Sequence, residues 1–401
     1  MKKHDEQLDK GRIELTAFVS FLMGFSQAVL IYVMSSYFEL ATGTKNVGIF
    51  YAVAYIIFLA ILLNLHKVVR TLGKSNVFYF ALLAKIIVIV GLIFNNPSEI
   101  GVLLLMVYII LGHIEWVALD IIVESFSVDR DSGRIRGLHL TILNLGFLFG
   151  PFVSTFILDR MGFHGVFVFS LIFNAFVLIF ALIGFRNVNH RFEQKLKVLD
   201  ILKKALARKN IMRIYYISFV LEFFFALMII YTPIYLRDLG YSWENIGWIF
   251  TAMLIPFVLV QFPMGMLADK KTGEKEFLIF ALLIMGASTL AIYFMGASTI
   301  FMWALMLFAT RIGAALIELL RDSYFYKRID GHDVDLINFF RTSLPVAYIC
   351  AATLSSFVFI FLPVKFAFIL TGLVVFSALI PAFKLQDNKC EAEISAECGE
   401  K

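Results

Sequence analysis

The chain has 401 residues, of which 60% are hydrophobic and only 16% are charged, and its formal net charge is +5. A soluble globular domain is about half apolar and a quarter charged, so this composition excludes that class. The charges stand between long apolar runs, and a helix needs about 20 apolar residues to cross about 30 Å of hydrocarbon. The sequence therefore predicts an all-α membrane protein.

Twelve apolar runs have the length of a membrane-spanning helix. The first follows a polar segment, residues 1–13, and is too long for the apolar core of a cleaved signal peptide, so we expect it to remain as an anchor. The predicted spans are 14–38, 46–65, 76–95, 101–124, 135–158, 164–185, 211–236, 245–266, 276–296, 300–322, 337–361 and 364–383.

Lysine and arginine are concentrated in alternate connections between the spans. One set of segments contains Lys2, Lys3, Lys10, Arg12, Lys67, Arg70, Lys74, Arg130, Arg134 and Arg136. The opposite loops offer little more than Lys45, Arg160, Arg237 and Lys365. Basic residues accumulate on the cytoplasmic side, so we expect both termini to lie in the cytoplasm and the protein in the cell (inner or plasma) membrane.

The spans divide into two sets of six, residues 14–186 and 211–383. Between them, residues 187–210 alternate leucines with lysines at helical spacing, which predicts a basic amphipathic helix on the inner leaflet; a solvated linker is the alternative. The acidic tail, 384–401, is predicted to be disordered. The pairs His113 and Arg311, Asp120 and Glu318, and Glu124 and Asp322 each recur at an offset of 198 residues. Six spans per unit make this a parallel repeat.

The loop after span 8 contains the pattern Gly-x-Leu-Ala-Asp-x-x-x-Gly-Glu-Lys, from Gly265 through Asp269 and Gly273 to Lys275. Small residues allow close helix approach, and a glycine allows the tight reversal. This pattern resembles the cytoplasmic loop signature of the major facilitator superfamily. The resemblance implies two six-helix bundles around a central cavity lined by the first, fourth, seventh and tenth spans.

The resemblance also implies a cytoplasmic gate. Asp269 would meet the N-terminus of span 5, where the helix dipole and Arg134 or Arg136 favour an anion. The first half has no acid where Asp269 would align, so this latch is expected on one side only. Spans 4 and 10 each carry a stripe spaced by seven and four residues: His113, Asp120 and Glu124, and Arg311, Glu318 and Asp322. The inner members, Asp120, Glu124, Glu318 and Asp322, are further predicted gate residues.

Span 5 contains Gly137, Gly146, Gly150 and Pro151. Their spacing resembles the antiporter motif that exporters of the superfamily carry in this helix, although Ser154 and Thr155 replace its closing glycines. Small residues permit close packing and proline bends the span, so we predict a hinge. A plain packing face is the alternative.

Ionisable residues deep in a bilayer are expensive and are functional by default. Glu222, Arg311 and His113 each lie eleven residues from a predicted inner helix end, about 16 Å deep, with Gln27 near the same depth. The resemblance places these four in the substrate cavity. Two tryptophans, Trp116 and Trp248, are candidate stacking partners for a ligand, with core or interface packing as the alternative.

Glu222 is the predicted proton carrier. Burial favours the protonated carboxyl group and a nearby guanidinium favours the carboxylate, so a partner that approaches in only one conformation would load and release a proton. Arg311 is the predicted partner, and a permanent Glu222–Arg311 bridge is the alternative. His113 is a second candidate for proton coupling, or else a satisfied core histidine. Lys85 and Glu115, at matched depth away from the cavity, are predicted to form a structural bridge.

These observations favour a secondary active transporter of a small organic solute, most simply a proton-coupled exporter. An uptake symporter or facilitator of a sugar or metabolite, and a sensor or lipid scramblase on the same scaffold, remain alternatives. The expected partners are the solute, protons and membrane lipids, with the protein as a monomer. The three cysteines lack metal-ligand spacing and no nucleotide-binding loop is present, so no metal, cofactor, nucleic acid or enzymatic activity is expected.

Overall fold

A computed structural model describes residues 10–125, 132–185, 198–261, 263–264, 274–329 and 334–386. Every regular element within these ranges is an α-helix. In chain order the helices are α1 (Lys10–Ile31), α2 (Met34–Thr42), α3 (Gly48–Leu72), α4 (Lys74–Phe94), α5 (Glu99–Ser125), α6 (Ser132–Gly184), α7 (Val198–Ala207), α8 (Lys209–Asp238), α9 (Trp243–Leu259), α10 (Lys275–Tyr293), α11 (Ile300–Lys327), α12 (Val334–Arg341), α13 (Ser343–Val358), α14 (Phe366–Ser377) and α15 (Leu379–Phe383).

Nine helical segments of the described chain are long and apolar enough to cross a membrane. One of them, residues 141–184, has 44 residues and is long enough to cross twice. The 17-residue α9 and the 16-residue α13 occupy the predicted eighth and eleventh spans. Counting the long segment twice and each shorter helix once gives twelve crossings, which confirms the predicted all-α membrane fold.

The reversal between the fifth and sixth crossings is made within α6 at Gly162. Its backbone has a φ of 65° and a ψ of −168°, a conformation that side chains disfavour and glycine adopts readily. The predicted spans 135–158 and 164–185 meet at this residue. One glycine therefore separates two crossings that the hydrogen-bonding pattern otherwise joins.

α8 is the central helix of the bundle and is almost entirely buried. It packs against α2, α11, α13 and α14. Large apolar side chains are instead exposed around the periphery, among them Phe94, Phe294, Phe301 and Ile87. A broad exposed apolar surface of this kind fits contact with lipid.

The two predicted six-helix sets contact each other through α3 with α13 and α6 with α9. The 198-residue repeat exchanges α3 with α9 and the first part of α6 with α13. Each contact is therefore the image of the other, as an axis along the membrane normal requires.

Part of the predicted amphipathic linker is helical, as α7. Ile201 and Ala205 are buried, whereas Leu202 and Leu206 are exposed. Residues 187–197 and most of the acidic tail, 387–401, lie outside the described residues. The exposed leucines of α7 match the apolar face that a helix on the inner leaflet requires.

Candidate functional site

Glu222 does not pair with Arg311, so that prediction was wrong. Its Oε1 lies 2.8 Å from Nη1 of Arg321, which lies ten residues after Arg311 on α11. The same Nη1 donates a hydrogen bond of 2.8 Å to the Ser218 hydroxyl. Glu222 is therefore a satisfied acid in an ion pair between α8 and α11, with a side chain that is only 8% exposed.

The bounds of α11 explain this change of partner. The helix continues to Lys327, beyond the predicted end at residue 322, so Arg321 lies within the helix and not at its rim. Arg311 and Arg321 are ten residues apart, about 15 Å along the axis at 1.5 Å per residue. Both belong to the same broad face, so the depth of Glu222 in the bundle decides which guanidinium it meets.

Two further carboxyl groups lie around Arg321. Asp322 Oδ1 is 3.5 Å from its Nε, and Glu318 interacts electrostatically with Arg321, Glu222 and Asp322. Glu318 Oε2 also accepts a 2.9 Å hydrogen bond from the Gln261 amide of α9. We call Glu222, Glu318, Arg321 and Asp322 the carboxylate cluster. It places three acids around one guanidinium near the end of the bundle that is predicted to be cytoplasmic.

Arg311 lies outside this cluster among aromatic rings. Its side chain is buried, with 1% of the residue exposed. The guanidinium carbon lies 4.8 Å from the ring centre of Phe224 and 5.6 Å from that of Phe225. It also hydrogen-bonds the Tyr32 hydroxyl. Within the described part of the chain, Nε and Nη1 have no hydrogen-bond partner.

His113 is held by α3 and by its own helix. Nδ1 donates to the Ile109 carbonyl at 2.8 Å, so Nε2 of the neutral ring accepts from the Tyr55 hydroxyl at 3.1 Å. Tyr55 stacks on Tyr348 of the other half with ring centres 4.2 Å apart. Gln27 donates to the Gly112 carbonyl at 3.3 Å. These residues place His113 and Gln27 near one another at the boundary between the halves.

The two candidate tryptophans occupy different environments. Trp116 is partly buried against Phe147, with ring centres 5.9 Å apart. Trp248 is 54% exposed and packs on Phe152 where α9 meets α6, beside the exposed Phe156. This position at the α6–α9 contact fits the alternative of interface packing for Trp248.

Lys85 and Glu115 form an ion pair between α4 and α5 with both side chains fully buried. The pair lies within the first half and has no described link to Glu222 or Arg311. Its position fits the structural role expected for it, because two buried charges compensate each other locally.

Contacts between the halves occur at both ends of the bundle. At the predicted cytoplasmic end, Arg341 of α12 forms a 2.5 Å ion pair with Asp120 of α5. At the opposite end, Lys45 contacts Asp238 at 2.6 Å and the Asn46 amide donates to the Ser356 carbonyl at 2.7 Å.

The predicted latch residues Gly265, Asp269 and Gly273 lie outside the described residues, as do the side chains of Glu124, Arg134, Arg136 and Gly137.

The remaining residues of the antiporter-like motif pack α6 tightly against α1. A Cβ atom at Gly146 would lie 2.4 Å from the Phe21 carbonyl oxygen, and one at Gly150 would lie 2.2 Å from the Ala28 Cβ. Pro151 follows within the same helix. Any larger residue at either glycine would push the two helices apart.

Sequence reasoning missed three residues that connect the site. Arg321 lies one residue from the predicted end of span 10 and was not considered, although an arginine three residues after Glu318 and beside Asp322 signals a paired group. Arg341 lies near the start of predicted span 11, and Tyr348 lies inside that span. No local sequence pattern indicates the partner of either residue. Both partners come from the other half of the chain.

A cavity of about 290 Å³ lies between the halves near α7. Its lining is mostly apolar and includes Leu62, Val69 and Ile121, with Arg341 and His66 among its polar residues. Among the residues that the structure describes, no group of three or more His, Cys, Asp or Glu side chains could hold a metal ion.

The family model described as Major Facilitator Superfamily matches residues 114–247 and 244–397, which together span more than half of the chain. Comparison with curated proteins gave no match.

Proposed function

Because the chain belongs to the Major Facilitator Superfamily, we propose that this membrane transporter moves a small organic solute by alternating access, with proton coupling and in the direction of export. It is a multi-pass integral membrane protein. The observation that carries the proton-coupling proposal is the carboxylate cluster, whose buried acid joins the central helix α8 to α11.

The charge of the cluster supports a proton-carrying role. Three carboxylates around one guanidinium would have a net charge of −2 if all were ionised, which is costly in a poorly solvated region. Binding one proton reduces that charge. If α11 moves relative to α8, the Glu222–Arg321 distance changes and so does the preference for that proton. Glu222 is the carrier in this proposal, Arg321 replaces Arg311 as its partner, and Glu318 shares the proton.

Alternating access requires contacts between the halves that form at one end as they break at the other. The Asp120–Arg341 pair is a candidate cytoplasmic gate contact, and Lys45–Asp238 is its candidate counterpart at the other end. The close packing of Gly146 and Gly150 against α1 supports a rigid pivot between these helices, which favours export by analogy with the motif that these residues resemble.

The proposal is tested with purified full-length protein in liposomes that contain a pH-sensitive dye. A panel of organic acids, amines and sugars is added, and solute-stimulated proton movement is recorded against protein-free liposomes. We expect Glu222→Gln to abolish this movement but to retain solute exchange between equal pools, because exchange needs no net proton transfer. Glu276→Gln, which alters an exposed acid at the start of α10, is the matched control and should behave as wild type.

Two results would contradict the proposal in different ways. Proton movement that persists in Glu222→Gln removes this acid from coupling. Absence of both solute flux and exchange across the panel contradicts transport itself. Direction is read by orienting the protein and imposing the proton gradient each way: export predicts solute movement opposite to the proton, whereas uptake symport predicts movement with it.

A further inference from the structure

Arg311 is a buried cation whose charge no described acid neutralises. Two of its nitrogens, Nε and Nη1, lack hydrogen-bond partners among the described residues. Its titratable neighbours are Tyr32 and Tyr348, whose hydroxyls are uncharged at neutral pH. A buried charge without a counter-ion is costly, so a native chain that retains one has a reason for it.

The described acids of α5, α8 and α11 that could neutralise Arg311 are already engaged elsewhere. Glu222 pairs with Arg321, Glu115 pairs with Lys85, and Asp120 pairs with Arg341. Glu318 accepts a hydrogen bond from Gln261. The compensating negative charge for Arg311 is therefore absent from these groups and is best supplied by a ligand.

The surroundings of Arg311 suit a ligand that contacts both halves. Tyr32 comes from the first half, whereas Phe224, Phe225 and Tyr348 come from α8 and α13 of the second. The two phenylalanine rings hold the guanidinium by cation–π contact, while its Nε and Nη1 N–H donors have no partner among the described residues. Nε–H and the Nη1 N–H groups lie on different edges of the planar guanidinium, so each can donate a separate charge-assisted hydrogen bond to an oxygen of a carboxylate or phosphate.

We propose that Arg311, together with the Tyr32 hydroxyl, binds the anionic group of the transported solute. The solute is then an organic anion that carries a carboxylate or phosphate. This inference rests on the proposed transport function and names its substrate class. It replaces the predicted pairing of Arg311 with Glu222, which pairs with Arg321 instead.

The test is ligand-induced stabilisation of the purified full-length protein. The probes are inorganic phosphate and matched sets of mono-, di- and tricarboxylates and phosphate monoesters, each beside its neutral amide or alcohol and its amine counterpart. We expect one or more anions to raise the melting temperature while their neutral and cationic counterparts do not. Binding should weaken by about 10- to 100-fold in Arg311→Gln, the loss expected for a charge-assisted pair.

The matched control is Arg160→Gln. Arg160 also lies over a phenylalanine ring, 4.0 Å from the centre of Phe156, but it is exposed at the periphery. This variant should bind the anions as wild type does. Tyr32→Phe removes only the hydroxyl and should weaken anion binding by a smaller factor than Arg311→Gln.

Folding and ligand roles of Arg311 are separated by the melting temperature without ligand. A ligand role predicts that unliganded Arg311→Gln is at least as stable as wild type, because an uncompensated charge is removed. A lower melting temperature, anion binding that is unchanged in Arg311→Gln, or Arg311-dependent binding of cations or neutral solutes alone would overturn the inference. Anions that bind through Arg311 but never cross liposomes would support this site and contradict the transport proposal.

Discussion

The two arginines of α11 occupy opposite chemical environments on one helix. Arg321 lies among three carboxyl groups and its Nη1 contacts Glu222 and Ser218, whereas Arg311 lies against Phe224 and Phe225 with two nitrogens that have no partner among the described residues. About 15 Å of helix separates a compensated charge from an uncompensated one. We propose that the inner segment handles protons and the outer segment binds solute, and the Arg321 and Arg311 variants below test the two sides of this difference.

The largest effect is expected from Arg321→Met. Removal of one partner leaves Glu222 as an uncompensated buried charge, which costs about 3–5 kcal/mol. The melting temperature of the purified protein should fall sharply. The double variant Arg321→Met with Glu222→Met should recover part of the loss, because the stranded charge is removed with its partner. If Arg321→Met alone were as stable as wild type, the Glu222–Arg321 pair would not contribute to stability.

Lys85→Met should lower the melting temperature by a similar but slightly smaller amount, and it tests a pair that is expected to be structural. The Lys85–Glu115 pair is fully buried, so loss of one partner again strands a charge at a cost of about 3 kcal/mol. Replacing both residues with methionine should restore stability and leave transport intact, since this pair lies away from the proposed site. Loss of transport in a stable double variant would show that the pair belongs to the mechanism.

Arg311→Met should change stability in the opposite direction. Removal of a charge without a counter-ion is favourable, while loss of cation–π contacts with two rings opposes it by about 1–2 kcal/mol. We expect a net stabilisation of about 1 kcal/mol, read as a higher melting temperature, together with loss of anion binding. A decrease as large as that of Arg321→Met would erase the distinction between the two arginines.

The smallest effects are expected at the ends of the bundle. Lys45→Ala removes a pair in which the side chains are 50% and 33% exposed, so the expected cost is about 0.2–1 kcal/mol. Its measurable consequence is a shift in conformation: a cysteine introduced beside Asn46 should react faster with a thiol reagent. Asp120→Asn should instead increase labelling at the opposite end, beside Arg341.

The number and type of membrane crossings were predictable because run length alone reports them. Even the reversal at Gly162 fell at the boundary between predicted spans. The depth of Glu222, counted in residues from a helix end, stays a prediction. A sequence indicates roughly how far a group lies from the membrane surface.

Partner choice was not predictable in the same way. Whether Glu222 pairs with Arg311 or Arg321 depends on helix tilt and on the residue at which α11 ends. The local spacing of residues in the sequence gives neither of these. The position of the Trp248 side chain was not predictable for a related reason, because the rotation of α9 about its axis decides which surface a side chain faces. Arg341 and Tyr348 acquire their importance only when distant halves of the chain come together.

The ion pairs at the two ends differ in how water reaches them. The side chains of Lys45 and Asp238 are 50% and 33% exposed, whereas those of Asp120 and Arg341 are only 17% and 14% exposed. Dissolved electrolyte weakens the former much more than the latter, since mobile ions screen exposed charges preferentially. If the two pairs act as the proposed gate contacts, we expect the balance between the two closures to depend on ionic strength, with high salt favouring opening at the Lys45 end.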